Sequence, residues 1–145
     1  MLDPKRVIQI GIRGTAYNSE DRDFAHSVGV RVIPVDEFFK RGIPDVIEEV
    51  KDVLGTHPSY LSYDIDFIDP AFAPGTGTPE AGGFTGYDGI ELVRGLTEID
   101  FIGYDMVEVM PPYDPGDITS LLAANIMYEF ISLIALSKKD TKETN

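Results

Sequence analysis

Apolar strand-like segments that alternate with helix-like segments constrain the fold of this chain most strongly. Each strand-like segment is short and rich in β-branched or aromatic residues, and a segment with helical periodicity or a helix-starting residue follows it. The predicted strands are residues 7–12, 30–35, 60–66 and 101–109, and the predicted helices are residues 19–28, 43–54, 87–96 and 117–136. Four strands that are each followed by a helix predict an α/β fold with a parallel sheet and right-handed crossovers.

The chain is predicted to form a single domain. Its 145 residues contain no internal repeat and no linker that would separate two units. Residues 1–136 therefore form one predicted unit of four strand–helix pairs, and the polar segment 137–145 is a predicted frayed tail.

Charge and cysteine content exclude several classes of protein. With 12 Lys and Arg against 25 Asp and Glu, the net charge is −13, which argues against non-specific binding to DNA or RNA. The absence of Cys excludes disulfides, cysteine-ligated zinc and a thiol nucleophile. The charged first residues carry no apolar leader, so a cytoplasmic location is expected.

The last predicted helix is apolar enough to be mistaken for a membrane span. Residues 118–136 nearly reach the length that crosses a bilayer, but Asn125 and Glu129 lie in the middle of the segment. The prediction is a helix packed on almost all sides, within the domain or against a partner, and no membrane insertion.

Charged residues follow the predicted strands at their carboxyl ends. In parallel α/β sheets, ligands bind at that edge. The rule directs attention to Arg13, Asp36, Asp64, Asp66 and Glu108.

Asp64 and Asp66 form the most informative pair. Two residues apart on a strand, both carboxylates are predicted to point to one side, where their repulsion must be neutralised by a divalent cation or by a shared proton. Oxygen ligands favour Mg²⁺, Ca²⁺ or Mn²⁺. The spacing alone leaves caps, salt bridges and solvated surface open, and it also fits a Mn²⁺-dependent nucleotide-sugar transferase.

Two common ligand-binding loops are excluded by position. If Asp64 were the first ligand of an EF-hand, Asp69 would replace the required Gly and Gly75 the required Glu. The glycine-rich segment that follows is not a dinucleotide-binding loop, because Glu80 stands where the third Gly belongs and Pro79 where a helix should begin.

The whole string around this pair closely resembles a signature of the ureohydrolases, which include arginases, agmatinases and guanidinobutyrases. Residues 62–83 carry the pattern S-x-D-x-D-x-x-D-P-x-x-A-P-G-T-G-T-P-x-x-G-G. Residues 9–14 (QIGIRG) and 107–114 (VEVMPPYD) are similar to further segments of the agmatinase-like branch. So many fixed positions make a chance match very unlikely.

The resemblance implies a fold, a reaction and a set of site residues. It implies a three-layer α/β/α domain that binds two Mn²⁺ ions, or other divalent transition metals in their place. This domain hydrolyses a cationic guanidino compound to an amine and urea through hydroxide that the ions generate. By this similarity, Asp64 bridges the two ions and Asp66 is a terminal ligand. Glu108 pairs with the guanidinium group, Thr78 lines the substrate pocket, and Asp105 supports the metal ligands from behind.

The strand pattern complicates two of these assignments. Asp105 and Glu108 have opposite parity, so one of them should face helices unless the strand ends between them. Asp69 lies off the side of the metal pair, and we predict a turn-forming role for it rather than a ligand role.

Four of the six expected metal ligands have no counterpart in this sequence. The Gly-Gly-Asp-His and Asp-Ala-His-x-Asp segments of the family are missing, as is its His-Gly segment. The two histidines, His26 and His57, match no family motif and are predicted to be surface or loop residues. The chain thus resembles the C-terminal half of a ureohydrolase.

Two functional hypotheses follow from this incomplete site. In the first, the chain carries part of an agmatinase-like site, needs the missing N-terminal half or a partner chain, and is inactive alone with weak metal binding; no catalytic residue is assigned within it. In the second, it is a non-catalytic half-domain that associates with another ureohydrolase-type chain. By analogy with the family, a homo-oligomer is expected.

Overall fold

The four predicted strands and their helices are present, with one additional helix. The computed structural model describes residues 2–15 and 20–143, and their side chains except at 20–22 and 138–143. Predicted loop residue Asn18 and predicted helix start Ser19 lie outside the described residues. The elements are β1 (Ile8–Ile12), α1 (Glu20–Val28), β2 (Arg31–Pro34), α2 (Val35–Arg41), α3 (Ile43–Leu54), β3 (Ser59–Asp64), α4 (Gly86–Arg94), β4 (Phe101–Val107) and α5 (Ile118–Glu143).

Helix α2 was not predicted, because it begins directly where β2 ends. Pro34 closes the strand and precedes the first helical residue, with no connecting loop to mark a boundary. Gly42, at a φ of 82°, ends α2 and starts α3 in one step. The helix buries Phe38, so it contributes to the core despite its seven residues.

The strands form two parallel pairs. β1 pairs with β2, and β3 pairs with β4, each pair joined through helices in the manner of a crossover connection. The predicted parallel pairing is confirmed, but the described residues do not form one continuous four-stranded sheet.

A single apolar core joins the two pairs of strands. Phe84 stacks on Phe67 at 4.0 Å between ring centroids and meets Phe38 edge-on at 4.5 Å. Phe67 follows β3, and Phe38 lies on α2, so this aromatic cluster connects the two halves of the structure. A capping box between Thr85 and Asp88 begins α4, which packs beside α5.

Helix α5 is less enclosed than the sequence suggested. Ala123, Ile126, Phe130 and Leu133 are buried along one face, whereas Leu121 is 62% exposed and Tyr128 67% exposed on the other. No described element covers this second face, so the helix is not packed on almost all sides within the domain, and packing against a partner stays a prediction. Pro115–Ser137 is long enough and apolar enough to cross a membrane. Core helices of soluble proteins also meet these two criteria.

The beginning and end of α5 differ from the prediction. The helix continues to Glu143, beyond the predicted end at residue 136, and residues 144–145 lie outside the described part. Its cap is Asp114 rather than Asp117 or Thr119: the Asp114 carboxylate accepts the N–H groups of Thr119 at 2.9 Å and Ser120 at 2.8 Å. Burial opposes ionisation of Asp114, but these bonds outweigh it and lower its pKa to about 2.

Candidate metal and substrate site

A polar pocket of about 280 Å³ lies where β1 and β3 end. Its walls are residues 10–15 from the end of β1, together with Asp64, Asp66, Phe67, Thr78 and Glu80. The structure therefore brings Arg13, Asp64, Asp66 and Thr78 to one place, as the rule for parallel sheets predicts. A larger open groove of about 540 Å³ between α3 and α4 contains none of them.

Asp64 is the most perturbed carboxyl group of the pocket. Its pKa is raised to about 6, chiefly by burial and in addition by the nearby carboxylates of Asp66 and Glu108, against a hydrogen bond from the Asp66 N–H that lowers it. This N–H lies 3.1 Å from Asp64 Oδ1. A half-buried acid surrounded by other acids favours a bound cation.

Asp66 reaches the same pocket by a route that the strand pattern did not predict. β3 ends at Asp64, and residues 65–67 form a single 3₁₀ turn that Asp64 caps. Asp64 and Asp66 therefore line the same pocket for a reason other than the predicted alternation of side chains along a strand. The turn, together with a hydrogen bond from Thr78 Oγ1 to Asp66 Oδ2 of 2.9 Å, places the second carboxylate.

Asp69 organises the long loop after β3. Its Oδ1 accepts the Ala71 N–H at 2.9 Å, and its Oδ2 accepts the N–H groups of Gly82 at 2.8 Å and Gly83 at 3.0 Å. These bonds join the two ends of the loop and lower the pKa of Asp69. The predicted turn-forming role is confirmed.

Arg13 fixes the same loop from the side of β1. Its guanidinium donates to the carbonyl of Asp66 at 2.5 Å and to that of Glu80 at 2.7 Å. The rule for strand ends had identified Arg13 as a candidate site residue. In the structure, Arg13 holds the loop backbone through the carbonyls of Asp66 and Glu80. This role depends on a contact between segments that are far apart in the sequence.

Glu108 lies immediately beyond the end of β4, which resolves the parity question. The strand ends at Val107, so Asp105 and Glu108 no longer share one alternation. Glu108 has a φ of 62°, a conformation that a non-glycine residue rarely adopts and that often marks functional sites. Its carboxylate lies close enough to Asp64 to raise the pKa of that residue.

Other predicted residues lie away from the pocket. Asp36 is exposed in the first turn of α2, and His26 and His57 are exposed, as predicted for the two histidines. Asp105 Oδ2 accepts the Tyr60 hydroxyl at 2.9 Å, and its Oδ1 is buried with no partner among the described residues. Its support of the metal ligands stays a prediction.

Sequence reasoning missed how the glycine-rich loop is fastened to α5. The Gly75 N–H donates to Thr119 Oγ1 at 2.7 Å, and a Cβ at Gly75 would lie 2.5 Å from Asp114 Cβ. Gly75 is therefore required by this close approach. The sequence identified residues 111–114 only as part of a family motif. The capping role of Asp114 could not be predicted without the position of α5.

Oxygen ligands are present, but they do not make a complete metal site. Asp64 and Asp66 present carboxylate oxygens on one pocket wall, which suits a hard divalent cation. Among the residues that the structure describes, no three His, Asp or Glu side chains are grouped closely enough to hold an ion. The pair can supply ligands to a site whose other ligands come from outside this part of the chain.

Comparison with known proteins agrees with this geometry. Residues 1–132 match the model of the arginase family. The chain is 49% identical to guanidinopropionase of Pseudomonas aeruginosa over 94% of its own length and 43% of that protein, and 46% identical to guanidinobutyrase of the same organism over 92% and 42%.

A solved structure shows the same fold. Proclavaminate amidino hydrolase of Streptomyces clavuligerus superimposes with a TM-score of 0.87 and 41% identity, over 93% of this chain and 44% of that one. The architecture is thus the three-layer α/β/α fold, and the chain spans less than half the length of these relatives. The chain belongs to the arginase family.

Proposed function

We propose that this chain carries part of the active site of a metal-dependent ureohydrolase that converts a cationic guanidino compound into an amine and urea. The observation that carries the proposal is the position of Asp64 and Asp66 in the wall of the pocket, which the family's signature loop borders, with the Glu108 carboxylate close enough to raise the pKa of Asp64. The names of the relatives, guanidinopropionase and guanidinobutyrase, support the guanidino substrate class.

Two carboxylates are the proposed metal ligands. Asp64 and Asp66 would hold divalent ions, Mn²⁺ or another divalent transition metal, and the Thr78 hydroxyl would keep the Asp66 carboxylate in place. The raised pKa of Asp64 fits such a role, since a cation would compensate the charge that its surroundings disfavour. Bound divalent ions supply Lewis acidity, which makes water a nucleophile near neutral pH.

Glu108 is the proposed partner of the substrate. A carboxylate can accept two parallel hydrogen bonds from a planar guanidinium, which fixes the orientation of its carbon. Hydrolysis forms a bond from water oxygen to that carbon and breaks the bond to the amine, which leaves with a proton. The acidic surface of the chain would attract the cationic substrate, an effect that salt weakens.

The remaining ligands are proposed to come from a missing N-terminal half or a partner chain. Complete members of the fold are more than twice as long as this chain, and the described residues offer no complete ligand group. We propose a cytoplasmic, homo-oligomeric assembly. The same observation also supports a second candidate, a non-catalytic half-domain that binds another ureohydrolase-type chain.

Urea release tests the proposal. The chain is supplied with Mn²⁺ and either 3-guanidinopropionate, 4-guanidinobutyrate or agmatine, alone and together with the part of Pseudomonas aeruginosa guanidinopropionase that it does not match. We expect no urea from the chain alone and urea from the complex. Glu108→Gln should abolish turnover, whereas Glu98→Gln, at an exposed ion pair with Lys51, should retain it.

Two results would contradict the proposal. Urea from the isolated chain would show that no external ligands are needed. A stable complex that forms but releases no urea from any of the three substrates would favour the non-catalytic candidate.

A further inference from the structure

The backbone that carries Glu108 is held from both sides. Before it, Val107 pairs with Asp64 in the parallel β3–β4 pair. After it, Val109 forms an antiparallel bridge with Thr76 of the glycine-rich loop. Between these two pairings the φ of Glu108 is 62°, and a non-glycine residue keeps such a backbone only where its surroundings enforce it. The position of the Glu108 side chain therefore depends on the loop as well as on the sheet.

Gly75 connects this backbone to helix α5. Its carbonyl accepts the Met110 N–H at 2.8 Å, and its N–H donates to Thr119 Oγ1 at 2.7 Å. One of its backbone groups is thus paired with the segment that follows Glu108, and the other with the first turn of α5. A shift of Gly75 would therefore move the backbone that carries Glu108.

The Thr119 hydroxyl occupies a fixed position at the start of α5. Thr119 is fully buried, and its N–H donates to Asp114 Oδ1 at 2.9 Å. Ser120, the next residue, donates to the same carboxylate with its N–H and with its hydroxyl, each at 2.8 Å. The two residues therefore share the cap of α5, but the Thr119 hydroxyl bonds to the loop, whereas the Ser120 hydroxyl bonds to Asp114.

The loop also passes directly beside the Glu108 carboxylate. A Cβ at Gly77 would lie 3.9 Å from Glu108 Oε2 and 3.2 Å from Met110 Cε. The carboxylate and the Met110 methyl group thus lie against the bare backbone of Gly77. A displacement of the loop would change the surroundings of both.

We propose that Thr119 is a positioning residue for Glu108. Its buried hydroxyl holds Gly75, and Gly75 holds the backbone at Met110. The Glu108 carboxylate is thereby kept in the orientation that a planar guanidinium requires. The inference rests on the proposed function, in which Glu108 is the partner of the substrate, and Thr119 acts through the loop rather than by contact with the substrate.

Steady-state kinetics test the inference in the complex with the part of Pseudomonas aeruginosa guanidinopropionase that this chain does not match. The assay contains Mn²⁺ and the best of the three guanidino substrates. Thr119→Val replaces the hydroxyl by a methyl group and leaves the Gly75 N–H without its acceptor. KM should rise about tenfold or more, because a misplaced carboxylate binds the guanidinium less well. Thr119→Ser, which keeps the hydroxyl, should recover most of this loss.

Ser120→Ala is the matched control. It removes a hydroxyl that bonds to Asp114 in the same turn of α5, so it weakens the same helix cap. A merely structural loss at this place lowers the fraction of folded enzyme and hence the apparent kcat, and it leaves KM unchanged. Ser120→Ala should keep the KM of the parent complex, whereas Thr119→Val should not.

Amide hydrogen exchange in the isolated chain measures the same contact without turnover. In Thr119→Val, the Met110 N–H should exchange about tenfold faster relative to the Val93 amide of α4, because its acceptor Gly75 is no longer fixed. In Thr119→Ser and Ser120→Ala it should exchange as in the parent chain. Thr119→Ala, which adds no atom to the buried space, repeats the measurement if the valine variant does not fold.

The outcomes separate this inference from the proposed function. A parent-like KM in Thr119→Val would overturn the inference, as would an equal rise of KM in Ser120→Ala. Unchanged exchange of the Met110 amide after loss of the Thr119 hydroxyl would also overturn it, whether or not the complex is active. An inactive complex together with faster Met110 exchange would contradict the proposed function alone, and Thr119 would still be the residue that holds the backbone beside Glu108.

Discussion

At the scale of single residues, the ionised Asp64 side chain lowers the stability of the fold and has a proposed role in binding metal. Its carboxyl is partly buried and lies close to Asp66 and Glu108, so ionisation without a cation is unfavourable. A chain that keeps such a group at the end of a strand has given up stability at a place where ligand binding can restore it.

Asp64→Asn should stabilise the metal-free chain at pH 7. The pKa of Asp64 is raised from 3.8 to about 6, so the folded chain holds this proton more tightly than the unfolded chain does. Its contribution to stability is fully present below about pH 4 and is lost as pH rises through 6. We expect a gain of about 1 kcal/mol at pH 7, reduced by solvent screening, and none at pH 4.

Urea unfolding in the presence of a chelator measures this difference. Asp52→Asn, at an exposed position of α3, is the control and should change stability little at either pH. Equal effects of Asp64→Asn at pH 4 and pH 7 would contradict the explanation.

Tyr63 offers a second prediction at this scale, because its buried hydroxyl has no hydrogen-bond partner among the described residues. Burial raises the pKa of Tyr63, which is thus neutral. Tyr63→Phe should stabilise the chain by about 1 kcal/mol by removing an unsatisfied polar group. Tyr60→Phe is the control: it loses a hydroxyl that donates to Asp105 and should not stabilise. Destabilisation by Tyr63→Phe would show that the hydroxyl has a partner.

The residues that were predictable from sequence are those whose neighbours are close along the chain. Asp64, Asp66, Asp69 and Thr78 all lie within one motif; Asp64, Asp66 and Thr78 line the pocket, and Asp69 joins the ends of the loop beside it. The bonds from Arg13 to the Asp66 and Glu80 carbonyls were not predictable, since backbone acceptors leave no trace in the side-chain pattern.

At the scale of elements, local signals decided which boundaries could be predicted. Helix α3 has the predicted bounds Ile43–Leu54, because Pro44 suits its first turn and Gly55 ends it. Helix α2 was missed because Pro34, read as the end of a strand, is also the residue before a helix. The end of α5 was placed too early because its last residues are polar, a feature that limits burial rather than helix formation.

The loop between β3 and α4 behaves as an element because Arg13 joins it to β1. Arg13→Met should lower the free energy of unfolding by about 2 kcal/mol, since it removes charged hydrogen bonds to the carbonyls of Asp66 and Glu80. It should also speed amide exchange in the loop, a local effect that hydrogen exchange detects. Arg94→Met, which removes exposed ion pairs to Glu91 and Glu129, should have a smaller effect on stability and none on the loop. Unchanged loop exchange in Arg13→Met would contradict this role.

At the scale of the whole molecule, the sequence predicted parallel strands but not their division into two separate pairs. Each strand was recognisable from its own residues, but pairing depends on contacts between segments that are distant along the chain. The motif identified the family, and the structure added that the carboxyl ends of β1 and β3 line one pocket.

The net charge of −13 gives the last prediction, which concerns the entire chain. Repulsion among carboxylates destabilises the compact state, and salt screens it over distances longer than about 10 Å at 0.1 M. Raising NaCl from about 0.02 to 0.2 M should stabilise the chain by about 1 kcal/mol, or about 3 °C in Tm. Screening of ion pairs such as Arg31–Glu49 and Arg41–Glu49 opposes the gain, but these contacts are short and partly shielded from solvent.

Thermal unfolding at several salt concentrations measures the slope of Tm against NaCl concentration. Replacing the exposed Asp36 and Asp52 together by Asn should reduce it, because two repelling charges are removed. A fall in Tm with salt would instead show that the ion pairs outweigh the repulsion, and that the acidic surface does not limit the stability of the chain.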